Sequence, residues 1–206
     1  MNQASVPAPV RKRLVTMLLL LEQCGTARIT SAEIGRISGR KDSLVRHDLF
    51  CAGISGGASN GYAVGRLADD IRRALGMVPA EPARRCCIVG LGRLGAALLD
   101  DDLFAGSGFQ IAAGFDSNVN RTEILRSSFP LYPASKIETV VPAERIEYAL
   151  LAVPEKEAPV MAERLARCPV RGIVNFTSAV LDVPPEIRVE GASPVAALLR
   201  LASAGW

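Results

Sequence analysis

The sequence has a single histidine, His47, among its 206 residues. That excludes chemistry needing two or three imidazoles, such as a His-rich zinc centre or a histidine dyad in the second half of the chain. The five cysteines, Cys24, Cys51, Cys86, Cys87 and Cys168, include no C-x-x-C pair. Neither a zinc ribbon nor a thioredoxin-like motif is supported, and no metal set is expected. The odd count fits a reducing cytoplasm better than a secreted disulfide framework. Long apolar runs are also missing. Arg11-Lys12-Arg13 ahead of Leu14 to Leu21 looks like the start of a signal peptide, but the run is eight residues long and contains Thr16. It is too short to span a bilayer, and a packed helix is the better reading. Strong net charge is absent too: 24 basic and 21 acidic side chains give +3.

What is present suffices for a core, with 49% hydrophobic and 22% charged residues. The length allows one large domain or two small ones. Charge is unevenly shared. Residues 1–80 carry eleven basic and six acidic side chains, net +5, whereas residues 81–206 carry thirteen and fifteen, net −2. The split suggests two jobs, a basic domain over 1–80 and a second domain over 81–206.

In the basic half, Leu14, Met17, Leu18 and Leu21 fall at i, i+3, i+4 and i+7, which predicts a helix from Val10 to Cys24. Gly25 fits its stop. Thr30-Ser31-Ala32-Glu33 has capping-box spacing and opens a short helix that Ser38-Gly39 ends. Asp42 is expected to cap a third helix through Phe50. Two short helices about a Gly-containing turn are the helix-turn-helix pattern. Its second helix would present Ser43, Leu44, Arg46 and His47 to a major groove, with Arg40 and Lys41 just before. Arg46 could hold guanine or a phosphate. Asn60-Gly61 suggests a hairpin turn, so a short β-ribbon, or wing, is expected around Ile54 to Val64. A helix from about Arg66 to Leu75 follows, stopped by Gly76. The same pattern also fits a small helical bundle that binds a protein.

Met77 to Arg85, with Pro79 and Pro82, reads as a linker. The composition then changes. The apolar run Cys86-Cys87-Ile88-Val89 leads straight into Gly90-Leu91-Gly92-Arg93-Leu94-Gly95, and a helical stretch follows. A second apolar run, Phe109 to Phe115, closes on Asp116, 21 residues after Gly95. A strand, a G-x-G-x-x-G turn, a helix and an acid at the end of the next strand are the dinucleotide-binding pattern. Gly90 permits the tight turn, Gly92 lets a pyrophosphate approach, and Gly95 lets the helix pack on the strand. Arg93 could add charge there, and Leu91 and Leu94 complete the loop. Asp116 would accept ribose hydroxyls and repel a 2′-phosphate, favouring NAD(H), with Arg121 close enough to soften that preference. Further strands are expected from Ile146 to Val153 and from Val170 to Val174, with a helix from Pro159 to Arg167 between them. A parallel sheet would then place Val153, Pro154, Asn175 and Phe176 near the nicotinamide end. A dinucleotide fold with an empty site shares these features. The two cysteines of the first strand read as buried packing residues.

The second half lacks a histidine. About 120 residues hold the sheet and little else, so the cofactor reads as a signal, not a reactant. A small NAD-dependent oxidoreductase is the rival class. The fold class expected is α/β: an N-terminal winged helix-turn-helix domain followed by a Rossmann-type parallel-sheet domain.

Thr30 to Ile34, Asp42 to Asp48, Gly61-Tyr62-Ala63-Val64, the Gly90 to Gly95 loop, Ala113 to Asp116, Leu151 to Pro154, Gly172 to Thr177 and Val183-Pro184 stand in one order along nearly all the chain. In that order the chain resembles the Rex family of redox-sensing transcriptional repressors. The resemblance implies a homodimer, and with the readings above it is expected in the cytoplasm, without catalytic activity or membrane attachment. Its winged helices, Tyr62 included, would bind a palindromic double-stranded operator when NAD⁺ is abundant, and NADH would release it. The C-terminal helix would be exchanged between subunits. Three places depart from the family pattern. His47 stands where a second arginine is usual. The wing, Ser55 to Asn60, carries no charge, which removes phosphate contacts. Ser193 and Pro194 match the family's Asp-Phe pair, of which the aspartate takes part in the switch. A divergent nucleotide-binding regulator without an NADH response is the third reading.

Overall fold

The structure, a computed structural model, describes residues 6–55, 61–77 and 83–203. The chain forms two compact units, Met1–Pro79 and Ala80–Trp206.

In the first unit, α1 (Ala8–Glu22) buries Val10, Leu14, Met17, Leu18 and Leu21 along one stripe. After β1 (Arg28–Ile29), Thr30 caps α2 (Ser31–Ser38). The Glu33 N–H donates to the Thr30 hydroxyl at 3.2 Å while the Thr30 N–H donates to the Glu33 carboxylate at 2.7 Å. Both bonds satisfy donors that the helix end leaves open. Gly39, at φ +67°, ends α2 in the left-handed region. α3 (Asp42–Cys51) follows, but Asp42 is not its cap. Lys41 holds that position, and Asp42 lies in the first turn, where its carboxylate accepts from Arg46 at 2.7 Å.

The rotation of α3 is fixed by Asp48, 1% exposed, whose two oxygens accept from Nε and Nη2 of Arg13, each at 2.6 Å. Hydrogen bonding to Asp48 raises the Arg13 guanidinium further above its already basic range. With Val45, Asp48 and Leu49 turned inward, Ser43, Leu44, Arg46 and His47 face solvent. β2 (Tyr62–Ala63) pairs antiparallel with β1, Ile29 opposite Tyr62. Of the expected wing, residues 56–60 lie outside the described residues. α4 (Val64–Ala74) buries Val64, Leu67, Ala68 and Ile71 against α1.

The second unit begins with β3 (Arg84–Val89), so Arg84 and Arg85 belong to a strand and not to the linker the prolines suggested. α5 (Arg93–Ala97), β4 (Phe109–Asp116), α6 (Val119–Ile124), β5 (Leu131–Pro133) and α7 (Ile137–Ala143) follow. Next come β6 (Tyr148–Leu151), α8 (Ala158–Ala166), β7 (Gly172–Asn175), β8 (Arg188–Gly191) and α9 (Pro194–Ser203). The strands form one parallel sheet in the order β5-β4-β3-β6-β7-β8. Cys86 to Val89 are all buried, as both faces of a covered parallel sheet require. The strand order reverses between β3 and β6, which opens a crevice beyond their carboxyl ends.

Candidate functional site

The crevice is built around the glycine loop after β3. The Gly90 N–H donates to the Phe115 carbonyl at 2.7 Å, and Gly90 sits at φ +95°. A Cβ there would lie 2.6 Å from the Ala152 carbonyl oxygen, so only glycine fits. At Gly95 a Cβ would fall 1.8 Å from the Gly90 carbonyl oxygen. Its small size serves the packing of α5 on the turn. Gly92 differs: nothing lies within 4 Å of a Cβ placed on it. Its smallness serves no contact with the described protein and leaves the loop open to the crevice.

That crevice is a cleft of about 480 Å³. Of the residues expected to line it, Gly90, Gly92, Leu94, Asp116, Val153, Pro154 and Phe176 do so. Leu91, Arg93, Gly95 and Asn175 are not among its lining residues. Leu91, 2% exposed, packs beneath the loop with Ile88 and Ile111. Arg93 points to solvent. The buried Asn175 uses its side chain on its own loop, donating to the Ala179 carbonyl at 2.9 Å and accepting the Thr177 N–H at 3.0 Å and hydroxyl at 2.8 Å. Ser117, Asn118, Glu157 and Met161 also line the cleft, and no sequence motif marks them. No periodicity reveals which of the polar residues after a strand end turn inward.

Asp116 is 3% exposed and ends β4. Oδ2 accepts the Leu91 N–H at 2.6 Å, and Oδ1 accepts the Asn118 N–H at 2.7 Å. Arg121 approaches Oδ2 at 3.3 Å from the cleft side. The carboxylate thus ties the glycine loop to β4. It has about four acceptor positions, so a diol arriving from the cleft would find one open and gain a second where Arg121 withdraws.

Cys86 and Cys87 are strand-packing residues. Burial pushes the Cys86 thiol up to about 11 and raises Cys87 as well, so neither offers a thiolate near neutral pH. Ser193, 5% exposed, shares a 2.9 Å hydrogen bond with the Ser178 hydroxyl and accepts the Ala196 N–H at 3.4 Å. It thereby caps α9, with Pro194 as the first helical residue, a position proline favours. On α9, Val195, Leu198, Leu199 and Leu201 are 59–66% exposed.

The second candidate surface is the outer face of α3. Arg46 holds Asp42 and reaches the Ser31 hydroxyl at 3.3 Å. His47 lies 3.7 Å from the Asp48 carboxylate and 3.8 Å from the Cys51 sulfur. Ser43 and Leu44 are exposed beside them, as is Lys41 at the N-cap, whereas Arg40 is half-buried in the turn. Tyr62, on β2, packs half-buried against the core of this unit. Among the described residues no cluster of three His, Cys, Asp or Glu side chains could hold a metal ion, and no helix is long and apolar enough to cross a membrane.

Residues 81–179 match the family described as CoA binding domain. The whole chain is 31% identical over 193 residues to the redox-sensing transcriptional repressor Rex of Ligilactobacillus salivarius strain UCC118, spanning 92% of this chain and 89% of that protein. The fold is similar to crystal structures of RSP, a Rex-family repressor. For RSP in complex with beta-NADH the TM-score is 0.81 at 25% identity, covering 97% of this chain and 93% of that one. For RSP in complex with beta-NAD⁺ and operator DNA it is 0.82 at 26% identity, covering 97% and 92%. A helix-turn-helix unit, a glycine loop at the switch point of a parallel sheet and this likeness along the full length agree: the chain belongs to the Rex family of redox-sensing transcriptional repressors.

Proposed function

We propose that this protein is an NAD(H)-responsive repressor that binds operator DNA as a homodimer, acts in the cytoplasm and catalyses no reaction. The observation that carries the nucleotide assignment is Asp116, buried at the end of β4 beside a glycine loop whose second glycine is open to the cleft. The adenosine ribose sits at Asp116, the pyrophosphate over Gly90 and Gly92, and the nicotinamide toward Val153, Pro154 and Phe176. Leu91, Gly95 and Asn175 act from behind, by holding the loop and the β7 end in shape. Arg93 and Leu94 border the loop. A ribose that carries a phosphate, as in CoA, would set two negative groups against each other at Asp116. The same carboxylate therefore supports NAD(H) over the ligand that names the matched domain family.

The domain of residues 1–80 reads DNA. Arg46 and Ser43 reach base edges, Leu44 and His47 border them, and Arg40, Lys41 and Tyr62 meet the backbone. The domain of residues 81–206 binds the nucleotide and, through α9, the second subunit. The exposed apolar side chains of α9 are the surface a second copy would cover. Calorimetric titration of the full chain with NAD⁺, NADH and CoA tests the nucleotide assignment. Both dinucleotides should bind and CoA should bind at least about tenfold more weakly, since one misplaced charge exceeds a pK unit of interaction. Preferential binding of CoA would overturn it.

A further inference from the structure

Sheet order sets the ends of the cleft apart. From β4, where Asp116 lies, the cleft crosses β3 and β6 to Phe176 after β7, three strand spacings or roughly 14 Å. At the Asp116 end the ionisable groups are Asp116 and Arg121. At the other end Val153, Pro154, Met161 and Phe176 are neutral, and the ionisable lining residue is Glu157.

Glu157 occupies the N-cap position of α8, yet its side chain makes no capping bond. Its carboxylate has no hydrogen bond or ion pair among the described residues, although the residue is only partly exposed. The neighbouring Glu155 and Lys156 are exposed and do not line the cleft. Glu157 is therefore a carboxylate at an otherwise apolar end of the cleft, near the N-terminus of α8, with no side-chain hydrogen bond or ion pair among the described residues.

We infer that Glu157 reads the charge of the nicotinamide ring and favours the oxidised cofactor. This rests on the nucleotide reading above and deepens it. The ring carries a positive charge in NAD⁺ and none in NADH. A carboxylate beside it attracts the first and is indifferent to the second, and the attraction is strengthened by the low polarity of Val153, Met161 and Phe176. The step is binding alone: no bond changes and no electron moves on the protein. Glu157 thus sets the NADH/NAD⁺ ratio at which the two cofactors exchange.

The test is calorimetric titration of the full chain and of Glu157→Gln with NAD⁺, NADH and ADP-ribose, which lacks the nicotinamide. Glu157→Gln should weaken NAD⁺ binding about five- to tenfold, as loss of one partly screened charge pair predicts. NADH and ADP-ribose affinities should stay within about twofold. Glu157→Lys should weaken NAD⁺ further while sparing ADP-ribose. An unchanged ratio of NAD⁺ to NADH affinity in Glu157→Gln, with all three ligands bound, overturns the inference and leaves the nucleotide reading intact. Failure of the parent chain to bind any of the three overturns both.

Discussion

Asp116 and Arg46 are both charged residues proposed to meet a ligand, and the fold treats them oppositely. Asp116 is 3% exposed and takes hydrogen bonds from Leu91 and Asn118 as well as from Arg121. The Arg46 side chain is 56% exposed and is held by Asp42, one helical turn away on the same helix. The cleft is preorganised: its acceptor is fixed before a nucleotide arrives, so little ordering remains to be done on binding. The α3 face is preorganised only in its backbone, through the Arg13–Asp48 pair. To meet bases and phosphates as proposed, Arg46 would have to give up its local partner Asp42. On the proposed reading, a small ligand meets a buried acceptor the fold has already ordered, whereas a long polyanion meets exposed side chains with local partners only.

That contrast can be broken at its structural supports, where the effects are largest. Gly95→Ala should destabilise the second unit by about 3 kcal/mol or more, because the new methyl meets the Gly90 carbonyl oxygen and backbone cannot step aside. Thermal unfolding followed by circular dichroism would show it. Asp48→Ala should destabilise the first unit by about 3 kcal/mol, since it leaves Arg13 partly buried without its partner. Operator binding should be lost while calorimetric NAD(H) binding persists, and retained operator affinity would show that α3 needs no such anchor.

Smaller changes sharpen the comparison. Arg46→Ala should weaken specific operator binding by about 2 kcal/mol if the side chain reads a base. Gel-shift titrations giving equal affinities for mutant and parent would remove Arg46 from the interface. Gly92→Ala should alter stability by no more than about 1 kcal/mol, since its Cβ meets open space. It should nevertheless weaken NAD⁺ and NADH binding on calorimetry. If both glycine variants lost stability alike, the distinction between a packing glycine and a ligand glycine would fail.

Features with strong local causes were legible in the sequence. The α1 stripe, the capping box at Thr30 and the glycine loop each follow from sterics or hydrogen bonding within a few residues. Cys86 to Val89 were recognisable because a doubly covered strand is apolar throughout. What stayed hidden depends on distant partners. β8 is a strand because it pairs with β7, and its four residues are all exposed, so no alternation marks it. β5 has three residues, and Pro142 inside α7 disguises that helix. The cap of α3 falls one residue earlier than the sequence suggests, on Lys41, and the Asp42 carboxylate pairs with Arg46 in the first turn. Asn175 was placed near the ligand by its position at a strand end, but its amide is committed to the 175–179 loop. Glu157 lines the cleft and Glu155 does not, a difference set by the turn into α8 that sequence alone does not show.

Control of operator binding by the nucleotide is tested by an operator gel-shift titration of the full chain with NAD⁺ and NADH in parallel. Operator DNA should stay bound in NAD⁺ and be released as NADH replaces it. Identical operator affinity in NAD⁺, in NADH and without nucleotide would contradict it.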